Sequence, residues 1–251
     1  MRAELDPPRP SEALRLPARG WQINPRHALV VGVVCWLGFA GVAWLFHSGL
    51  AAGFDAAGLQ LLRSGADYHA PGPPWLLESV RDVTALGGAV LRVLFSIAAL
   101  VALLFIGLRR EAALLLGTLL SGLLVELALK ALVGRPRPQI VPHLVDAAGL
   151  SFPSGHSFNS ALGFIAVALA FATLSQRRSV RWTIIGAAVG ASLLVAVSRV
   201  WLGVHYPSDV IAGWLGGAGW AFLAEALLYR PAKAAAEAAP AMLKPDLQPF
   251  R

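Results

Sequence analysis

The stretch from Ala28 to Phe54 contains no Asp, Glu, Lys or Arg. About 20 apolar residues suffice for a helix to cross the hydrocarbon core of a bilayer, where every backbone amide and carbonyl must be satisfied within the segment itself. The run is also longer than the roughly 7 to 15 residues of a signal-peptide core, so it reads as an uncleaved span. Five further blocks of this kind follow, at about 86–108, 112–131, 157–175, 182–200 and 209–228. Arg92, Glu126 and Glu225 interrupt three of them, which requires the charged groups to snorkel or pair. A hydrophobic share of 57% against 14% charged residues agrees with this reading. The expected fold class is all-α, an integral membrane bundle of six helices.

Around that core, residues 1–27 hold five prolines and five arginines and read as a flexible basic cytoplasmic tail, because such a composition buries too little apolar surface to order itself. Residues 28–228 form the spanning domain and 229–251 a second cytoplasmic tail. Between spans one and two, Asp55 to Ala85 mixes leucines with polar residues and the turn-rich Pro71, Gly72, Pro73 and Pro74, which suggests short interfacial helices. Cationic loops stay on the cytoplasmic side. Fourteen of the 21 Lys and Arg residues fall on the side of the two termini and seven on the other, so the termini are expected inside and the connections after spans one, three and five outside. The net charge of +7 is scattered between apolar blocks and forms no basic face of the kind that binds nucleic acid. Cys35 is the sole cysteine, so no intrachain disulfide or cysteine metal cluster is available.

Three segments at the outward ends of the spans hold most of the unusual polar residues: Lys130 to Pro138 (KALVGRPRP), Phe152 to Ser157 (FPSGHS) and Ser198 to Asp209 (SRVWLGVHYPSD). Cations, two histidines and a carboxylate gathered at one membrane depth suit a phosphate. Arginine gives planar bidentate donors and lysine a compact charge, while Ser154 and Gly155 directly precede a helix whose first amides favour an anion. His205 and Asp209 lie four residues apart, with Pro207 fitting a first helical turn. The carboxylate can then fix the tautomer of the ring and leave its other nitrogen free to attack phosphorus, with His156 as proton donor to the leaving oxygen. Neighbouring cations oppose a catalytic dication, so no metal or other cofactor is expected.

The pattern Lys, six residues, Arg-Pro; Pro-Ser-Gly-His; and Ser-Arg, five residues, His, three residues, Asp resembles the signature of the type 2 phosphatidic acid phosphatase family. The resemblance implies six spans, no metal, and dephosphorylation of a lipid phosphate or diphosphate through a phosphohistidine. It makes Lys130, Arg137 and Arg199 the phosphate clamp, assisted by Ser154 and Gly155. It makes His205 the nucleophile, Asp209 its partner and His156 the general acid. Only the six-residue spacing selects Arg137 over Arg135. Glu126 is placed to pair with Lys130 along the helix, whereas Arg135, His143 and Asp146 read as solvated loop residues. The partners implied are the lipid phosphate and the bilayer; polyprenyl diphosphate, phosphatidylglycerol phosphate, phosphatidic acid and outer-membrane glycolipid phosphates all fit. A phosphotransferase using the same residues, and a lipid transporter, are the competing readings.

Overall fold

A computed structural model describes residues 23–175 and 177–242, with side chains as far as Leu227. The tail expected over residues 1–27 therefore lies, as far as residue 22, outside the described residues. Among the described residues eight helices follow one another: α1 (Pro25–His47), α2 (Ala52–Leu61), α3 (Pro74–Ala85), α4 (Ala89–Phe105), α5 (Arg109–Val133), α6 (Gly155–Ala172), α7 (Arg178–Trp201) and α8 (Pro207–Met242). Five of them, α1, α5, α6, α7 and α8 as far as Leu227, are long and apolar enough to cross a membrane. The pair α3 and α4, bent by 49° at the break between them, is long and apolar enough together to be the sixth candidate. The fold is an all-helical membrane bundle.

The second block, expected at about 86–108, is the single helix α4. The α3 helix stops at Ala85 and α4 starts only at Ala89, after Gly87 and Gly88. With 17 residues, α4 rises about 25 Å, a little short of the hydrocarbon thickness. The bend thus sets the first turn of α4, including Arg92, beside the polar end of the bundle. At the other extreme α8 does not end with the apolar block but continues to Met242, so the segment after 228 begins as a helical extension.

The bundle centres on α6, whose residues from Ser157 to Gly163 are all buried. It is gripped by α7 and α8. Hydrocarbon tails solvate leucine as well as a core does, so helices in membranes associate through close van der Waals packing at small residues. A Cβ at Gly217 would fall 2.0 Å from the carbonyl oxygen of Phe158, and only glycine lets α8 approach α6 so nearly. Phe158, Leu162, Ile165 and Leu169 fill the centre, while leucines such as Leu116, Leu120 and Leu194 face outward on the bundle's exterior, as a lipid-facing surface requires.

The short helices after span one do more than lie at an interface. Asp55 and Leu59 of α2 are buried to 1% and 0% exposure. Leu59 packs with Val200 of α7 and Val210 of α8, which fixes α2 over the adjoining ends of those two helices.

Candidate active site

Every element that carries a motif residue ends or begins at the same end of the bundle. Lys130 stands in the last turn of α5, His156 in the first turn of α6, Arg199 in the last turn of α7 and Asp209 in the first turn of α8. Arg137 comes from the α5–α6 connection and His205 from the tight loop between α7 and α8.

Asp209 is the hub. One of its oxygens, Oδ2, accepts from the amide of Tyr206 at 3.0 Å, closing the α8 N-terminus as the third residue of a capping box does. The same oxygen accepts a short bond from the hydroxyl of Ser151 and lies 3.5 Å from Nδ1 of His205. The other, Oδ1, takes Nη1 of Arg135 at 2.6 Å. A carboxylate held on both oxygens cannot rotate, so the face of the imidazole turned toward it is fixed.

The opposite ring nitrogen of His205, Nε2, sits 3.0 Å from Nη1 of Arg137. With Nδ1 protonated toward Asp209, Nε2 carries the lone pair and accepts from the guanidinium. Arg137 is itself held by the carbonyls of Val204, at 2.8 Å, and Ala148, at 2.8 Å. His205 is 1% exposed. Burial pushes its pKa down to about 4, assisted by the charges of Arg137 and Arg199, while the bond to Asp209 and its charge pull the other way. The ring is therefore neutral at physiological pH, and its Nε2 lone pair is engaged only by the Arg137 guanidinium among the described residues.

His156 occupies a different setting. It forms no hydrogen bond to any described residue, and the charges of Arg199, His205, Arg92 and Lys130 all act on it. Lys130 Nζ pairs with Glu126 Oε1 at 2.9 Å, as their spacing suggested. Both groups press on the start of α6: a Cβ at Gly155 would lie 2.8 Å from Glu126 Oε1 and 2.9 Å from Lys130 Nζ. Glycine at this position is what brings an ammonium against the amides of the first α6 turn, where an anion binds best. Arg199, 3% exposed, donates Nη1 to Thr84 Oγ1 at 2.9 Å, and its Nε has no partner among the described residues. Ser154 is tied into the protein. Its amide donates to the carbonyl of Asp209 at 3.0 Å and its hydroxyl accepts from Ser157 at 3.0 Å. The amides of the α6 first turn beyond it are thus the ones left for a ligand, and the Ser154 side chain forms no cap bond.

One expectation is overturned. Arg135 is no solvated loop residue but 9% exposed, with Nη1 on Asp209 and Ser208, at 2.6 and 2.8 Å, and Nη2 on Asp55 at 2.7 Å. Its guanidinium lies 4.2 Å from the ring centre of Phe46 and 3.9 Å from that of Tyr206. A charge this deep survives only with partners, and two carboxylates supply them. His143 and Asp146 do stay exposed.

The sequence model of the PAP2 superfamily matches residues 89–232, a stretch that contains all three motif segments. The chain belongs to the PAP2 superfamily. Phosphatidylglycerophosphatase B of Bacillus subtilis is 31% identical over 144 residues, 56% of this chain and 69% of that protein. Lipid A 1-phosphatase of Rhizobium etli is 39% identical over 118 residues, 43% of this chain and 46% of that one. An undecaprenyl-diphosphatase of Bacillus subtilis is 32% identical over 99 residues, 37% of this chain and 45% of its own length. The crystal structure of a transmembrane PAP2 type phosphatidylglycerolphosphate phosphatase from Bacillus subtilis superimposes with a TM-score of 0.66 at 26% identity, covering 88% of this chain and 98% of that one.

Several residues that build this PAP2 site escaped sequence reasoning. Asp55 lies in α2, outside the matched region, yet it accepts from the Ser208 amide and hydroxyl at 2.9 and 2.7 Å as well as from Arg135. Its signal was faint: the first acid after a long uncharged run. The doubled Arg-Pro of RPRP was a signal for Arg135, since both arginines turn out to serve one histidine from opposite sides, Arg137 directly and Arg135 through Asp209. Ser151 and Thr84 left no signal, being ordinary hydroxyl residues that matter only through what the fold sets beside them.

Proposed function

We propose that this protein is a membrane phosphatase that removes a phosphoryl group from a lipid phosphate or diphosphate through a phosphohistidine on His205, with the site on the extracytoplasmic face. The observation that carries this reading is the buried, neutral imidazole locked between Asp209 on Nδ1 and Arg137 on Nε2. Membership of the PAP2 superfamily and the phosphatase names of the relatives support it.

In this mechanism Arg137, Lys130, Arg199 and the first amides of α6, Gly155 among them, hold the oxygens of the transferred phosphoryl group. Its negative charge is thereby neutralised, which is most of what catalysis of phosphoryl transfer requires. Ser154 braces that turn. Nε2 of His205 bonds to phosphorus as the P–O bond to the lipid breaks. His156 gives its proton to the departing oxygen, a proton favoured there by the negative charge that the substrate brings among the cations. Asp209 stabilises the charge that develops on the His205 ring. Water then attacks phosphorus, loses a proton to His156 and frees inorganic phosphate. The charge that a metal ion would otherwise neutralise is met in this mechanism by Arg137, Lys130 and Arg199.

Purified protein in detergent, given phosphatidylglycerol phosphate, phosphatidic acid and polyprenyl diphosphate with chelator present, should release inorganic phosphate from at least one. Acid-labile label from a radioactive lipid should be trapped on the parent and absent from His205→Ala. Full activity in that variant would sink the histidine mechanism, and phosphate passed to an acceptor other than water would mark a transferase.

A further inference from the structure

Arg92 belongs to none of the three motif segments. It lies in the first turn of α4, just past the bend, partly buried, and its guanidinium forms no hydrogen bond to any described residue. An arginine within a span normally pairs or marks a substrate path. Its charge acts on His156 and is felt by Glu126. Five donors thus stand near the proposed proton donor, apart from the contacts that tie Arg137 to His205.

Below Arg92 a cavity of about 180 Å³ lies between α4, α5 and α6. Arg92 and Asn159 form its polar end, while Ile97 and Leu100 of α4 and Leu116 and Leu120 of α5 wall the rest. Asn159 donates to the carbonyl of Gly155 at 3.0 Å, which joins this cavity to the start of α6 and hence to Lys130. Ile97, Leu116 and Leu120 are 52%, 45% and 55% exposed on the lipid-facing side, so the cavity opens sideways to the bilayer. A charged head leading into an apolar slot complements a hydrocarbon chain that ends in an anion.

We propose that Arg92 binds the leaving phosphate of a lipid diphosphate whose chain lies in the slot between α4 and α5. The inference rests on the phosphatase reading above and narrows its substrate. Attack by Nε2 of His205 on the distal phosphorus breaks the bond to the bridging oxygen. That oxygen takes the electron pair and the proton of His156, and departs as part of a lipid monophosphate. A leaving group that keeps a phosphate carries negative charge, which Arg92 meets. When the substrate is a lipid monophosphate the departing alcohol is neutral, and the guanidinium has little to gain.

The test compares geranylgeranyl diphosphate, geranylgeranyl monophosphate and isopentenyl diphosphate on full-length protein in detergent. Arg92→Gln should lower kcat/KM for the long diphosphate by about tenfold or more, since charge-assisted bonds are lost, with less than about threefold change for the monophosphate. Arg92→Lys should recover part of the loss. Leu116→Trp, which fills the slot, should raise KM for the long diphosphate and leave the isopentenyl compound unchanged. Ala98→Trp, in the separate apolar groove of about 660 Å³ between α4, α6 and α7, should affect neither. Equal losses on diphosphate and monophosphate would overturn the role of Arg92, and a chain-length effect from Ala98→Trp instead of Leu116→Trp would overturn the slot. A parent that turns over lipid monophosphates alone would overturn the inference and leave the phosphatase reading standing. Binding of a geranylgeranyl methylenediphosphonate gives a readout that needs no catalysis: unchanged affinity in Arg92→Gln, or no binding by the parent, overturns the proposal whatever the activity.

Discussion

The two histidines of the site occupy halves built on opposite plans. Around His205 the protein supplies the hydrogen-bond partners itself: Asp209, Ser151 and Arg137 on the ring or its carboxylate, Arg135 and Asp55 behind them. Around His156 the cations Lys130 and Arg199 gather with fewer bonds to the protein, and the imidazole has no hydrogen-bond partner among the described residues. A nucleophile has to be aimed before substrate arrives, so its surroundings are closed. A phosphate clamp has to keep donors for the ligand, so its surroundings stay open. The contrast predicts that damage to the first half costs both stability and activity, whereas damage to the second costs activity alone.

The largest expected effect is that of His205→Ala, which removes the bond-forming atom and should lower phosphate release by about 10⁴-fold or more. Next comes His156→Ala, with a loss of about 10² to 10⁴-fold in kcat and, if the comparison holds, no fall in the midpoint of thermal unfolding in detergent. A clear drop in that midpoint would show that the His156 half is also structural. Arg135→Ala should behave in the reverse manner. Stripping a buried guanidinium from Asp55 and Asp209 leaves two uncompensated carboxylates, a cost of about 3 to 5 kcal/mol, read as a lowered unfolding midpoint together with reduced kcat. An Arg135→Ala protein as stable as the parent would break the distinction between the halves.

A smaller effect sharpens the comparison by pH. Because burial holds His205 near a pKa of about 4 instead of the ordinary 6.5, the acid limb of kcat/KM assigned to the nucleophile should fall near pH 4. A limb near 6.5 would mean that the ring titrates as an exposed imidazole. The sign for stability follows: between those two values the unfolded chain takes up a proton that the folded one refuses. Stability therefore falls as pH drops through that window, and His205 contributes no pH dependence above it. The smallest effect is that of Thr84→Val, which removes one bond to Arg199 and should cost about 0.5 to 1.5 kcal/mol in substrate binding, seen as a modest rise in KM with kcat nearly constant.

The division between what could be read and what could not follows chemistry that is local and chemistry that is not. Span positions were legible because hydropathy is a property of a contiguous run. Pro207 at the start of α8 and the pairing of Glu126 with Lys130 were legible because both are matters of helical spacing. Arg135 escapes a local reading since a charged residue between Gly134 and Pro136 looks like loop, and only its neighbours, Asp55 from eighty positions away and the rings of Phe46 and Tyr206, make it a buried one.

The sequence by itself determined the membrane bundle, the shared end at which the motif segments meet, and the residue types of a phosphate site, because apolar length and short-range spacing act within one helix or turn. Only the tertiary structure decided which arginine faces which ring nitrogen, that α2 carries a carboxylate into the site, and that Arg92 stands at the head of a lipid-facing slot. Those contacts join groups far apart in the chain, and their energies depend on burial and distance that no local pattern records.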